Sequence, residues 1–152
     1  MILGIDPGPE ESAVVWLNAD GPRAETMPNR GVVELLRSMV VPTAIEDFVP
    51  YGQRLGYESI ATVKAIGVFE FAAEGRARLI PRPEIKRHLC GTHKATDADV
   101  RDALMQRFGP GRKKAVGTKT QPGPLYGFKG HHWAALAVAV TAQDTQQEGP
   151  QQ

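Results

Sequence analysis

Residues 1–9 read MILGIDPGP, and this stretch decides the fold. Residues 1–6 are apolar and β-prone, and Pro7-Gly8-Pro9 turns the chain directly after them. A buried strand therefore ends on a carboxylate, Asp6. Because the residues before it are core, that carboxylate must be presented at a sheet edge or in a cleft. Working outward, residues 12–17 (SAVVWL) read as a second strand. Asn18-Ala19-Asp20-Gly21 has hairpin-turn chemistry and leads to a short third strand near residues 24–27. Asn29 is placed to cap a helix over 31–40, with Val32, Leu35, Leu36 and Met39 on one face. Residues 41–48 (VPTAIEDF) form a fourth strand that carries Glu46. The β-β-β-α-β order predicts an α/β fold, a mixed sheet with helices packed on it.

Beyond residue 52 the pattern turns helical. Ile60, Val63, Ile66, Gly67 and Phe71 fall near helical spacing and predict one long helix over 53–73. Leu79-Ile80 is a short strand stopped by Pro81, and 84–89 is a short helix ended by Gly91. Thr96-Asp97-Ala98-Asp99 opens a further helix that runs to Phe108. Residues 109–130 are rich in Gly, Pro and Lys and read as a loop; a loop that long in a compact domain is usually functional or disordered. Residues 131–142 (HHWAALAVAVTA) predict a final apolar helix, and the Gln-rich residues 143–152 a disordered polar tail. One domain over 1–142 follows, with the tail appended.

Composition narrows the function classes. At 41% hydrophobic residues the 152-residue chain is too apolar for disorder, and its 16 Gly and 12 Pro do not suit a helical bundle. One cysteine, Cys90, excludes an internal disulfide and a cysteine zinc cluster. No apolar run approaches the roughly 18 residues of a membrane helix, and no basic-then-apolar leader opens the chain. The expectation is a soluble intracellular domain. The formal net charge of +1 argues against a polyanion as partner, but its distribution reverses that. Residues 1–60 carry four Lys/Arg against nine Asp/Glu, whereas residues 61–130 carry fourteen against six. An acidic part suited to metal precedes a basic part suited to phosphates.

Asp6 and Glu46 each sit in a strand, and on neighbouring strands they would stand side by side. Paired carboxylates are what hard divalent cations such as Mg²⁺ need. His131 and His132 open the last helix, at the edge of a loop and hence of a cleft. His88 and His93 flank Cys90 but lack a fourth ligand, so they read as helix-end polar residues. Asp97, Asp99 and Asp102 read as ordinary helix-start chemistry. Arg112, Lys113, Lys114, Lys119 and Lys129 lie in the 109–130 segment, which has no acid, and make a candidate phosphate clamp. Tyr126, Phe128 and Trp133 beside them, and Phe48 and Tyr51 just past Glu46, are candidates to stack on bases.

These elements together resemble the RuvC-type Holliday junction resolvases, in the shorter form found in bacteriophages. MILGIDPG is similar to the family's opening strand, AIEDF to its second acidic strand, and VKAIGVFEFAAE to its Gly-containing central helix. IKRHLCGTHKATDADVRDAL resembles its lysine-rich approach to a helix, and HHWAALAVAV its terminal metal-site helix. The resemblance spans about residues 1–142. It implies a ribonuclease-H-like mixed five-stranded sheet flanked by helices, a homodimer, and metal-dependent cutting of branched DNA in the cytoplasm of a bacterial or phage-infected cell. Asp6 and Glu46 match the first two metal ligands. The last helix of the family usually supplies two more, three residues apart, and here these positions hold His131 and Ala134. The resemblance implies two ions per site, Mg²⁺ or Mn²⁺, with Asp6 bridging them and Glu46 and His131 each completing one side; imidazole favours Mn²⁺. His131, or His132 beside it, is alternatively a general base. Arg76, Lys86, Arg87 and Lys94 would track the backbone of a four-way junction, nicked symmetrically to leave 5′-phosphates. A nuclease acting more broadly on flaps and forks, and a non-catalytic junction-binding module, are the alternatives. An actin-like kinase, which shares the Asp-Pro-Gly turn, needs two lobes and hence a much longer chain.

Overall fold

A computed structural model describes residues 1–147. Its elements in chain order are β1 (Ile2–Asp6), β2 (Glu11–Asn18), β3 (Gly21–Pro28), α1 (Asn29–Ser38), β4 (Thr43–Asp47), α2 (Tyr57–Ala72), β5 (Ala77–Pro81), α3 (Arg82–Cys90), α4 (Asp97–Phe108), α5 (Arg112–Ala115) and α6 (His132–Gln147). The five strands form one sheet in the order β3-β2-β1-β4-β5. β1, β2 and β3 are antiparallel neighbours, whereas β4 runs parallel to both β1 and β5. The expected mixed five-stranded sheet with helices on it is what the chain forms.

Strand alternation divides the core into two halves. Ile2, Ala13, Val15, Leu17, Ala44 and Ile80 point to the face covered by α6, α3 and α4. Leu3, Ile5, Val14 and Ile45 point to the other, where Val32 and Leu36 of α1 and Ile66 and Phe69 of α2 cover them. Residues Ala135–Val140 of α6 are all buried, which their unbroken apolar composition requires. Gly4 sets how close that helix comes. A Cβ at Gly4 would lie 2.3 Å from the Ala135 carbonyl oxygen and 2.6 Å from the Ala139 Cβ. Only a residue without a side chain lets α6 rest directly on the β1 backbone.

Several elements differ from the expectation. β3 extends over eight residues, because its whole length pairs with β2 from Glu11↔Pro28 to Asn18↔Gly21. The long helix begins at Tyr57, not at residue 53. Asn29 does not cap α1. It is the first residue of the helix, and its side chain accepts from Ser12 Oγ at 2.6 Å and donates to the Gly8 carbonyl at 2.9 Å. Ser12 Oγ in turn accepts from the Gly8 N–H at 3.2 Å, so β2 and α1 together clamp the turn that follows Asp6.

The segment 109–130 is built rather than open. It holds α5 and a bridge between Gly117 and Pro122, and Leu125 inside it is fully buried. Gly123 packs against the Lys114 and Ala115 carbonyls where a Cβ would be 2.3–2.4 Å away. Helix α6 continues to Gln147, five residues past the expected boundary at Ala142. Asp144 accepts from Arg107 of α4 (2.8 Å) and lies 2.7 Å from His88 Nε2 of α3, and Thr145 accepts from Arg78 of β5. The rest of the expected tail, 148–152, lies outside the described residues. Among the described residues no helix is long and apolar enough to cross a membrane.

Candidate active site

The parallel register of β1 and β4 pairs Gly4 with Ala44 and Ile5 with Ile45. Asp6 and Glu46 are each the next residue along, and strand parity turns both toward the α6 face. The two acids thus meet at the carboxyl ends of adjacent parallel strands, where open α/β sheets place their ligands. Their side chains are only 9% and 11% exposed. Burial pushes the Asp6 carboxyl up to about 6, and the neighbouring Glu46 charge adds to this, against the opposing pull of His131 and Arg82.

The approach of α6 supplies the third side chain. His131, the residue before α6, lies with Nδ1 2.8 Å from Asp6 Oδ2 while its ring stays 83% exposed. With Nδ1–H donating to the carboxylate, Nε2 keeps its lone pair. His132 turns away. Its Nδ1 accepts from the Lys129 N–H at 3.3 Å and its Nε2 lies 2.9 Å from Thr26 Oγ1 of β3. An acceptor Nδ1 fixes the neutral tautomer with Nε2–H donating to threonine. Burial, with the charges of Lys129 and His131, also lowers its pKa. His132, expected to share in catalysis, has both ring nitrogens committed to Thr26 and Lys129 and its ring buried away from the carboxylates.

A residue that sequence reasoning missed completes the site. Arg82 opens α3 immediately after β5, whose Pro81 pairs with Asp47. Its Nε donates to Glu46 Oε1 at 2.6 Å, and Nη1 lies 3.6 Å from Asp97 Oδ1. Lys86, one turn along α3, is 3.8 Å from the same Asp97. Burial works against the Arg82 charge, but Glu46 and Asp97 outweigh it and hold its pKa above the ordinary arginine value. The signal was a cation placed one residue past a strand that neighbours β4, and it required the β4–β5 pairing to be read. Asp97 was taken as capping only. The capping is done by Thr96 and Asp99, which exchange hydrogen bonds of 3.1 and 2.8 Å, and this leaves Asp97 free to face α3.

Three adjoining clefts open on this constellation. One of about 260 Å³ is lined by Glu46, Arg82, Lys86, Asp97, His131 and Ala134 among others. A larger groove of about 1190 Å³ runs past Asp6, the Pro7–Glu11 turn, Phe48, Tyr57 and Lys129. Phe48 and Tyr51 both border the carboxylates; Phe48 leans on the core while Tyr51 is 68% exposed. Arg87, Lys94, Arg112, Lys113, Lys114 and Lys119 are exposed on α3, the following turn, α5 and its loop. Phe128 and Trp133 stack edge-on at 5.9 Å against the core, which leaves Tyr126 as the exposed aromatic of that segment. Arg76 is corrected. It precedes β5 at the opposite end of the sheet, donates to the Leu36 carbonyl at 2.6 Å, and ties α1 to the sheet there.

Among the described residues no group of three or more His, Cys, Asp or Glu converges to hold an ion as the side chains stand. The donor chemistry nevertheless fits one divalent cation. Two largely buried carboxylates, one with its pKa raised to about 6, would be relieved by a positive ion, and an imidazole is at hand. At the fourth position Ala134 offers no donor atom.

Antiparallel β1-β2-β3, parallel β4 and β5, and a last helix laid across the central strand define a ribonuclease-H-like fold with two acids at its carboxyl edge. More particularly, it is the form of that fold seen in RuvC-type resolvases. The Thermus thermophilus RuvC structure superposes with a TM-score of 0.66 at 21% identity, covering 97% of this chain and 96% of that one. T. thermophilus RuvC in complex with Holliday junction substrate gives a TM-score of 0.64 at 21% identity, with 97% and 95% covered. No protein-family model and no curated protein sequence matches the chain.

Proposed function

We propose that this protein is a divalent-metal-dependent, structure-specific DNA endonuclease that resolves four-way junctions by paired nicks leaving 5′-phosphates. The observation that carries this reading is the pairing of Asp6 and Glu46 on one face of adjacent parallel strands, beside His131. It stands on the fold of a protein solved with a Holliday junction. Asp6 and Glu46 are the residues that would hold the cation, with His131 beside them as proton acceptor. When bound, the cation neutralises the scissile phosphate and favours attack by water. The chain's own groups do the rest. Asp6 fixes the His131 ring through Nδ1, so that Nε2 can take a proton from the attacking water. Phe48 and Tyr51 flank the carboxylates where an unstacked base would lie. Lys86, Arg87, Lys94, Lys129 and the α5 cluster of Arg112, Lys113 and Lys114, with Lys119, bind phosphates.

Symmetric nicking needs two sites, and α2 supports a homodimer. Tyr57, Ile60, Val63, Val68 and Phe71 are all exposed along this helix. A helix that is apolar on its outer as well as its inner face is ordinarily covered, and a second copy of α2 would cover it.

The test is nicking of a synthetic four-way junction, a flap and a linear duplex with Mn²⁺ or Mg²⁺. The expected result is paired cuts in the junction, lost in Asp6→Asn while junction binding survives. Retained cutting by Asp6→Asn rejects the metal role of the pair. The absence of three convergent ligands among the described residues, and of a donor at Ala134, favours one second reading, a junction-binding module without catalysis. Tight junction binding with no nick under either cation would establish it.

A further inference from the structure

The ligand arrangement at Glu46 points to a departure in how this site is charged. Ala134 lines the 260 Å³ cleft together with Glu46, Arg82, Lys86 and His131. A methyl group there offers no ligand atom on the side of the site that Glu46 faces. On that same side Arg82 has its Nε on Glu46 Oε1, a short charge-assisted bond, and is steadied from behind by Asp97. Glu46 Oε2 and Asp6 Oδ1 are left for an ion. Arg82 also borders the adjoining hollow that holds Asp6, Phe48 and Tyr51, and its side chain is 45% exposed. A guanidinium in this place is paired to the acid yet open to a ligand from both clefts.

We propose that Arg82 is the built-in second cation of the site: it takes the place of one divalent ion, so that the chain binds a single ion, and presents its guanidinium to the scissile phosphate. The inference rests on the nuclease reading and deepens it. Guanidinium suits the task chemically. It stays charged at every working pH, and its planar fork can hold a carboxylate on one edge and a phosphate on another. It is also anchored by covalent structure, since Arg82 is the first residue of α3 and follows directly on β5. Lys86 cannot stand in for it, because its ammonium faces Asp97, not Glu46.

The experiment measures Mn²⁺ uptake by the full chain without DNA, by titration calorimetry, and junction affinity across a salt series with Ca²⁺. Neither readout depends on cleavage. The wild-type chain should bind one Mn²⁺. Arg82→Ala removes a positive charge beside Glu46, so its Mn²⁺ affinity should rise by at least about tenfold. Its salt slope for junction binding should fall by about one unit, the signature of a lost phosphate contact. Arg82→Gln, which keeps a polar side chain and part of its apolar stem without the charge, is read identically if the alanine variant melts too low to assay. Two Mn²⁺ per wild-type chain, or an Mn²⁺ affinity unchanged or weakened in a folded variant, overturns the proposal. So does an unchanged salt slope. Failure of the nuclease reading is seen separately, as a wild-type chain that binds Mn²⁺ and junctions but nicks none.

Discussion

At the scale of single residues, two adjacent histidines have opposite fates. His131 is joined to Asp6 and exposed; His132 is buried between Thr26 and the Lys129 backbone. His131→Ala should therefore lower the nicking rate by roughly 10²-fold or more with little change in melting temperature. His132→Ala should instead cost about 1–3 kcal/mol of stability, by emptying the place of a buried ring and leaving the Lys129 N–H without its acceptor, which thermal melting reads directly. Asp6 adds a pH dependence. Its folded pKa of about 6 lies above the ordinary 3.8, so the proton is held more tightly in the native state. Stability from that proton is full below about pH 3.8 and is lost as pH rises through 6. Cation binding needs the bare carboxylate and runs the other way: Mn²⁺ affinity should climb up to about pH 6 and level off above it, as calorimetry at successive pH values would record. Asp6, Glu46 and His131 were legible as residues because strand ends and helix starts show in sequence. Arg82 was not, because its partner lies 36 positions away across a strand pairing that no local pattern encodes. The choice between His131 and His132 was equally closed, since it depends on which way α6 is rolled against β3.

At the scale of elements, apolar patterning located every strand and every long helix, but it misplaced ends held by polar contacts. The last turns of α6 carry no apolar periodicity, so the sequence reads as a tail. They are helical because Asp144 is gripped by Arg107 and His88, and Thr145 by Arg78. Burial works to raise the Asp144 pKa, but the hydrogen bonds and charges of Arg107 and His88 outweigh it and hold it below the ordinary value. Asp144→Ala should destabilise the fold by about 1–2 kcal/mol at neutral pH. The deficit should vanish in acid, because a carboxylate with a depressed pKa contributes stability above its unfolded value and loses it as pH falls through the folded one. Chemical denaturation at pH 7 and at successive pH values below 3.8 would check both halves. The 109–130 segment was misread for a related reason. Its order comes from tight backbone contacts at Gly117 and Gly123 and from one buried leucine, Leu125, and Gly-rich composition looks the same whether a loop is open or closely packed.

For the whole molecule, the sheet order and the two-sided core follow from alternation in five short strands, and the site follows from where β1 and β4 end. Composition concealed the surface. A net charge of +1 is the balance of an acidic first part that holds Asp6 and Glu46 and a basic middle part that surrounds them with lysine and arginine. The outer face of α2 is the other whole-molecule feature, and it carries the proposed pairing of two copies. Val68→Glu with Phe71→Glu places charge on exposed positions that touch no core, so the monomer should keep its melting temperature while light scattering reports half the wild-type mass. On a four-way junction such a monomer should give single, uncoordinated nicks; a dimer of unchanged mass would mean that another face joins the copies.

Gly4 has a meaning for anyone who would move this site elsewhere. With no side chain between the β1 backbone and α6, the spacing from Asp6 to His131 is set by main-chain atoms in contact, not by adjustable rotamers. Grafting the two functional residues onto another sheet and helix would leave that spacing undefined. The transferable unit is larger: Asp6 and His131 together with Gly4, Ala135 and Ala139, five residues that act as a single gauge.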